Sequence, residues 1–227
     1  VDRSRAANVL LQHLETQEDF EVVDYYDGNC DHMGATISDA ILQAGVKYDS
    51  VVRPRVREIR EKYPTARTTS AFLKVLLEVG PKEVLRWKEE RKPEIVLRLT
   101  EFFIQRGIEL EKDLRAWLTV DANLPILQSL KGVKNKTADY LRILVGVSTT
   151  AVDRHVFAIL DEAGIHTKDY NTARVIVNAA ADARGVDRSC FDHSIWRFMS
   201  RRSVQAGRDK ITCAKINHAT GCCGKRS

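Results

Sequence analysis

Apolar residues recur at helical spacing along almost the whole chain. Ala6, Val9, Leu10 and Leu14 share one face of a predicted helix, as do Ile37, Ile41 and Leu42. From Val51 to Tyr63, apolar positions alternate with Arg53, Arg55, Arg57, Arg60 and Lys62. Pro54 comes early enough there to occupy a first turn, where its missing N–H removes no helix bond. Thr68–Val79 opens on hydroxyl caps and stops at Gly80-Pro81. Further helices are predicted over Lys82–Lys88, Pro93–Gln105, Glu111–Leu118, Ala122–Leu130, Lys136–Val145, Asp153–Ala163, Thr172–Ala183 and Arg188–Arg202. Strand-like alternation is confined to Phe20–Tyr26, the one stretch that reads as extended. The pattern predicts an all-α fold of short helices joined by short loops. Trp87, Trp117 and Trp196 sit among apolar neighbours at helical spacing and are expected in the core.

Composition narrows this picture. The chain has 227 residues, 44% of them hydrophobic, enough for one large or two small cores. No apolar run approaches the roughly 18–20 residues that cross a bilayer, and no basic-then-apolar leader opens the chain. A soluble, intracellular monomer is expected, in the cytoplasm or nucleoid of a prokaryote or in a nucleus, with no membrane partner. Of five cysteines, Cys30 and Cys190 stand alone and Cys213, Cys222 and Cys223 crowd the end, which is no disulfide framework. Cys213, His218, Cys222 and Cys223 are metal-ligand types, but their spacing matches no common zinc finger. No metal and no cofactor are expected.

The net charge of +5 is unevenly spread. Residues 1–28 hold two basic against seven acidic side chains, a net −5, and residues 201–227 seven against one, a net +6. Residues 1–200 together are close to neutral. Bulk charge therefore says little about partners, and local charge says more.

The informative stretch is Leu130-Lys131-Gly132-Val133-Lys134-Asn135-Lys136-Thr137-Ala138-Asp139-Tyr140. A helix is predicted to end near Leu130 and another to start near Asn135, with Gly132 supplying the backbone freedom for the turn. The second helix presents unbonded N–H groups and the positive end of its dipole, and Lys131, Lys134 and Lys136 surround it. Such a site suits a DNA phosphate, contacted without regard to base sequence.

A second motif, Ala151-Val152-Asp153-Arg154-His155-Val156, puts Asp153 at the N-cap of the next helix. Helix 136–145 would run about 15 Å. The following loop reaches at most roughly 23–25 Å, enough for the chain to return, so that Lys136 and Asp153 can share a cleft. A neutral lysine amine is a nucleophile, and a nearby carboxylate accepts a proton or steadies a developing cation. Beside a DNA-binding turn, the fitting reaction is attack on the deoxyribose anomeric carbon, which expels a base. His155, just inside the helix, reads as structural.

Together, Leu130–Tyr140 and Val152–Val156 resemble the core motifs of the helix-hairpin-helix (HhH-GPD) DNA glycosylase superfamily, which includes endonuclease III and the 8-oxoguanine glycosylases. Its hairpin typically reads L-P-G-V-G-x-K-T-A and its later motif V-D-T-H-V. The resemblance implies Lys136 as the lysine nucleophile and Asp153 as the essential aspartate, with Lys131, Gly132, Val133 and Lys134 binding DNA. It implies two helical domains: residues 30–153, a barrel-like domain ending in the hairpin at about 130–136, and residues 1–29 with 154–227. It further implies a base-excision-repair enzyme with glycosylase and abasic-site lyase activity. The partner would be duplex DNA with a damaged or mispaired base, flipped out of the stack, or an abasic site.

Three features depart from the family pattern. Lys134 replaces the second hairpin glycine and Lys131 the usual proline; Arg154 replaces a small residue; and the C-x6-C-x2-C-x5-C iron–sulfur motif is missing. Gln43, Gly45 and Tyr48 lie near the loop that members wedge into the duplex, with no register that singles one out. Two other readings fit the same residues. One is a monofunctional glycosylase in which Asp153 directs water; the other is a non-catalytic DNA-binding hairpin.

Overall fold

The computed structural model describes residues 2–24, 28 and 31–202, and among these every regular element is helical. The helices are α1 (Arg3–Glu15), α2 (Met33–Leu42), α3 (Arg53–Lys62), α4 (Thr69–Val79), α5 (Pro81–Val84), α6 (Arg91–Ile104), α7 (Glu111–Thr119), α8 (Asn123–Gln128), α9 (Asn135–Leu144), α10 (Arg154–Glu162) and α11 (Tyr170–Arg184). A helix over 188–202 follows as α12, and a π-helical turn, Tyr48–Val52, leads into α3. The chain divides into two compact units. One takes in Val1–Asp24, Val152–Val186 and the chain from Cys190 on; the other takes in Tyr25–Ala151 with Asp187–Ser189. Cys30, Cys213, His218, Cys222 and Cys223 lie outside the described residues.

In the larger unit α2 is the axis, and α3, α4, α6 and α9 all pack on it. All ten of its residues are buried. Its small side chains permit that: a Cβ on Gly34 would lie 2.6 Å from Phe72 Cδ2, so α4 approaches α2 through the Phe72 ring. Phe72, Phe103, Leu42, Ile59, Leu76, Leu85 and Leu99 are essentially inaccessible around it. Each such residue contributes about 1.5–3 kcal/mol of burial free energy.

The polar ends of α2 are tied down. His32 is its N-cap: Nδ1 accepts from Ala35 N–H (3.1 Å), and Nε2 pairs with the Tyr63 carbonyl (3.0 Å). The Glu111 carboxylate accepts from the backbone N–H groups of Asp31 (3.0 Å) and His32 (3.2 Å) and from the Thr36 hydroxyl. At the other end, Lys92 Nζ donates to the carbonyls of Leu42 (2.7 Å) and Ala44 (2.6 Å) and lies 4.4 Å from the Trp87 ring centroid. Burial holds the Lys92 amine below the usual lysine range.

Several sequence expectations need correction. The predicted helix Lys82–Lys88 stops at Val84. Arg86 there has φ +47°, its guanidinium held by Glu58 (2.7 Å) and its carbonyl by Arg55 (3.3 Å). Residues 20–23 pair in no ladder; Phe20 packs edge-on to Phe191 and Phe198, and Val23 N–H donates to Ser194 Oγ (2.9 Å). Trp87 and Trp117 pack at the margin of the core, not inside it. Trp196 is also half-buried and stacks on His193, with ring centroids 5.5 Å apart.

The smaller unit joins α1, α10, α11 and residues 190–202. Leu10, Leu14, Val156, Ile159, Ile176, Val177, Phe191 and Ile195 form its core. Asp2 caps α1, Asp169 caps α11, and Gly185, with φ +70°, ends α11. The single described cysteine, Cys190, is buried and unbridged. No described helix is long and apolar enough to cross a membrane.

Candidate functional site

The connection from α8 to α9 is built from local bonds. Ser129 N–H donates to Pro125 O (3.0 Å), Leu130 N–H to Leu127 O (3.2 Å) and Val133 N–H to Leu130 O (3.0 Å). Val133 turns inward and is buried, which anchors the turn to the core. Gly132 has φ +100°, and a Cβ there would stand 2.4 Å from Ile95 Cδ1. Only glycine fits both that backbone and that approach of α6. One helical turn along α6, Arg98 donates to the Lys131 carbonyl (2.8 Å) and braces the turn from outside.

The two lysine departures have different consequences. Lys134, where the resemblance expects glycine, has φ −125° and ψ −177°, an extended conformation open to any residue. Substituting lysine for glycine therefore imposes no strain, and the Lys134 side chain is exposed, as is that of Lys131.

Lys134 is also the N-cap of α9, a position normally held by an acceptor such as Ser, Thr, Asp or Asn. No side chain caps this end, and no acid stands in the first turn. Lys136 follows at the second helical position and is half-buried. Exposed Lys131 and Lys134 thus stand at the positive end of a helix dipole, an arrangement that favours a bound anion.

α9 is held rigidly behind that end. Thr137 and Ala138 are buried, and Ala138 N–H donates to Lys134 O (3.0 Å). Buried Asp139 lies 3.6 Å from the Arg142 guanidinium, which reaches Asp121 at 3.2 Å. One turn beyond Lys136, Tyr140 OH donates to Asp39 Oδ1 (3.3 Å), while Tyr48 OH donates to Asp39 Oδ2 (3.0 Å). Burial, and next the Asp39 charge, hold both phenols above the usual tyrosine range, so both act as donors at neutral pH. The sequence reading missed this cluster. Its signal was a lone carboxylate in the otherwise uncharged run Met33–Leu42.

Lys131, Gly132, Val133, Lys134 and Lys136 are therefore brought together on one braced turn. Asp153 belongs to the other unit, where it caps α10 by accepting from His155 N–H (2.8 Å) and Val156 N–H (3.3 Å) through Oδ1. Its backbone is extended, with φ −132° and ψ −170°. His155 is buried, and Arg154 Nε donates to its Nε2 (3.4 Å). Among the described residues, no group of three or more His, Cys, Asp or Glu side chains is placed to hold a metal ion.

A family model described as a domain of unknown function (DUF8548) matches residues 6–200. No curated protein and no solved structure matches the chain.

Proposed function

The chain belongs to the DUF8548 family, and we propose that it acts as a DNA glycosylase with an associated abasic-site lyase step. The observation that carries this reading is the braced Gly132 turn, which delivers three lysines to the uncapped N-terminus of α9. Exposed Lys131 and Lys134 beside the positive end of the α9 dipole favour a bound anion, and a backbone phosphate of duplex DNA supplies one. Lys131 and Lys134, exposed on the turn, would contact phosphate; half-buried Lys136 would act on the sugar.

In this scheme neutral Lys136 Nζ bonds to C1′ as the C1′–N glycosidic bond breaks. The base leaves with the electron pair and takes a proton from water. Asp153 steadies the positive charge that develops on the sugar and accepts the amine proton. Ring opening yields an imine, and loss of a C2′ proton then expels the 3′ phosphate. The Asp153 carboxylate is oriented by two backbone N–H groups that Oδ1 accepts at the start of α10.

Borohydride trapping on duplexes with a damaged base or an abasic site tests the reading. A covalent adduct that disappears in Lys136→Gln is the expected result. Base release without an adduct, still dependent on Asp153, would replace it with a water-directing glycosylase. DNA binding with neither would leave a binding module.

A further inference from the structure

Asp39 is the one charged residue of α2 and is only 1% exposed. Given the sugar chemistry proposed for Lys136, we propose that Asp39 and Tyr140 are its positioning residues. Their hydrogen bond fixes the turn of α9 from which the amine is presented.

Three segments meet at the Asp39 carboxylate. Tyr140 OH donates to Oδ1 (3.3 Å) from α9, and Tyr48 OH donates to Oδ2 (3.0 Å) from the π-helical turn before α3. The Tyr48 ring centroid lies 5.7 Å from the Arg53 guanidinium, which Asp49 holds at 2.8 Å. Burial and the Asp39 charge keep both phenols protonated, so both remain donors. A buried carboxylate is costly to desolvate, and apolar side chains in its place would join the same segments without that cost. What the carboxylate adds is direction. Ala138 and Leu141 anchor α9 in the core. Apolar contacts of that kind tolerate small rotations and slips, whereas a hydrogen bond weakens steeply as it bends or lengthens.

Tyr140 passes that direction to Lys136 by two routes. The residues are four apart on α9, so the helical bond from Tyr140 N–H ends on the Lys136 carbonyl. Side chains of a helix also lean toward its N-terminus, which lays the Tyr140 ring over the turn that carries Lys136. Both residues are half-buried. A reacting group misplaced by about 1 Å loses about 10²-fold in rate, so the aim of a nucleophile has to be held closely. Lys131 and Lys134 have a different support, because Ile95 and Arg98 of α6 brace their turn. Phosphate binding and amine placement are thus secured by separate helices, α6 for the first and α2 for the second.

Two measurements test this, and the first needs no DNA. Lysine amines dimethylated with isotopically labelled formaldehyde and a reductant give separate NMR signals, and Lys136→Gln assigns that of Lys136. Tyr140→Phe keeps the ring and Asp39→Asn keeps an acceptor. Both are expected to shift the Lys136 signal and to leave those of Lys131 and Lys134 in place. Tyr48→Phe removes a bond to the same carboxylate from another segment, so it should lower stability comparably but move the Lys136 signal less. In the second measurement, unmodified protein is trapped with borohydride on abasic-site duplex. Tyr140→Phe should lower the rate at saturating duplex about tenfold and leave the half-saturating concentration unchanged. A Lys136 signal unmoved in both variants, an equal shift in Tyr48→Phe, or a wild-type trapping rate in Tyr140→Phe overturns the proposal. If the wild-type protein traps nothing, the glycosylase reading fails, and the NMR signals alone decide whether Asp39 and Tyr140 position Lys136.

Discussion

Ile95 occupies the space that a side chain on Gly132 would need: its Cδ1 would lie 2.4 Å, and its Cγ1 2.7 Å, from a Cβ placed there. The glycine also holds φ +100°. Gly132→Ala therefore incurs both backbone strain and displacement of Ile95, a loss of about 2–4 kcal/mol by urea unfolding. Ile95→Val removes the nearest atom at a cost of about 0.5–1.5 kcal/mol. The two changes together should cost less than their sum by about 1 kcal/mol. Strict additivity would show that the close approach carries no energy.

Glu111 holds the start of α2 through three donors, Asp31 N–H, His32 N–H and the Thr36 hydroxyl. Glu111→Ala leaves all three short of a partner, two of them on buried residues. A loss of about 2–4 kcal/mol is expected, seen as a lower urea midpoint at unchanged slope. Glu111→Gln, which keeps one acceptor oxygen, should lose less. A change within about 0.5 kcal/mol for the alanine variant would mean that α2 begins securely without it.

His32 links stability to pH. Burial is the first cause that lowers its pKa in the folded chain, so the unfolded chain binds its proton more readily. The neutral ring's contribution is complete above the usual histidine value of about 6.5 and is lost as pH falls through that value toward the lower folded one. Asparagine is a good N-cap without a titratable ring. His32→Asn should thus flatten the decline in stability between neutral and mildly acidic pH, measured by urea unfolding at several pH values. Parallel declines in both proteins would assign the dependence to other groups.

Asp153 has a structural task that can be separated from its proposed chemistry. Asp153→Asn preserves an acceptor for His155 and Val156 N–H and should change stability by only a few tenths of a kcal/mol; Asp153→Ala should cost about 1 kcal/mol. Base release should fall by orders of magnitude in both. If activity instead tracked stability, with the asparagine variant near wild type, Asp153 would be a cap and no more.

The helices were legible because amphipathic periodicity is local. Thr68 as cap of α4, Pro54 in the first turn of α3 and Asp153 as cap of α10 follow from residue type and position alone, and each is observed. The lysine turn was legible for the same reason: Lys131, Lys134 and Lys136 lie within six residues, so one turn gathers them. Lys82–Lys88 was misread because its end is set from a distance, by Glu58 and Arg55 holding Arg86 in a left-handed conformation.

The sequence by itself determined that the chain is helical, where most helices start and stop, and that three lysines surround one glycine turn, because each depends on neighbours a few residues apart. Only the tertiary structure decided what braces that turn: Ile95 and Arg98 come from α6, more than thirty residues earlier. It also decided that Asp39 receives Tyr140 from 101 residues away. Packing of apolar faces selects those pairs, and many different pairings share the same local pattern of polar and apolar residues. Their partners can be read only once the core has closed.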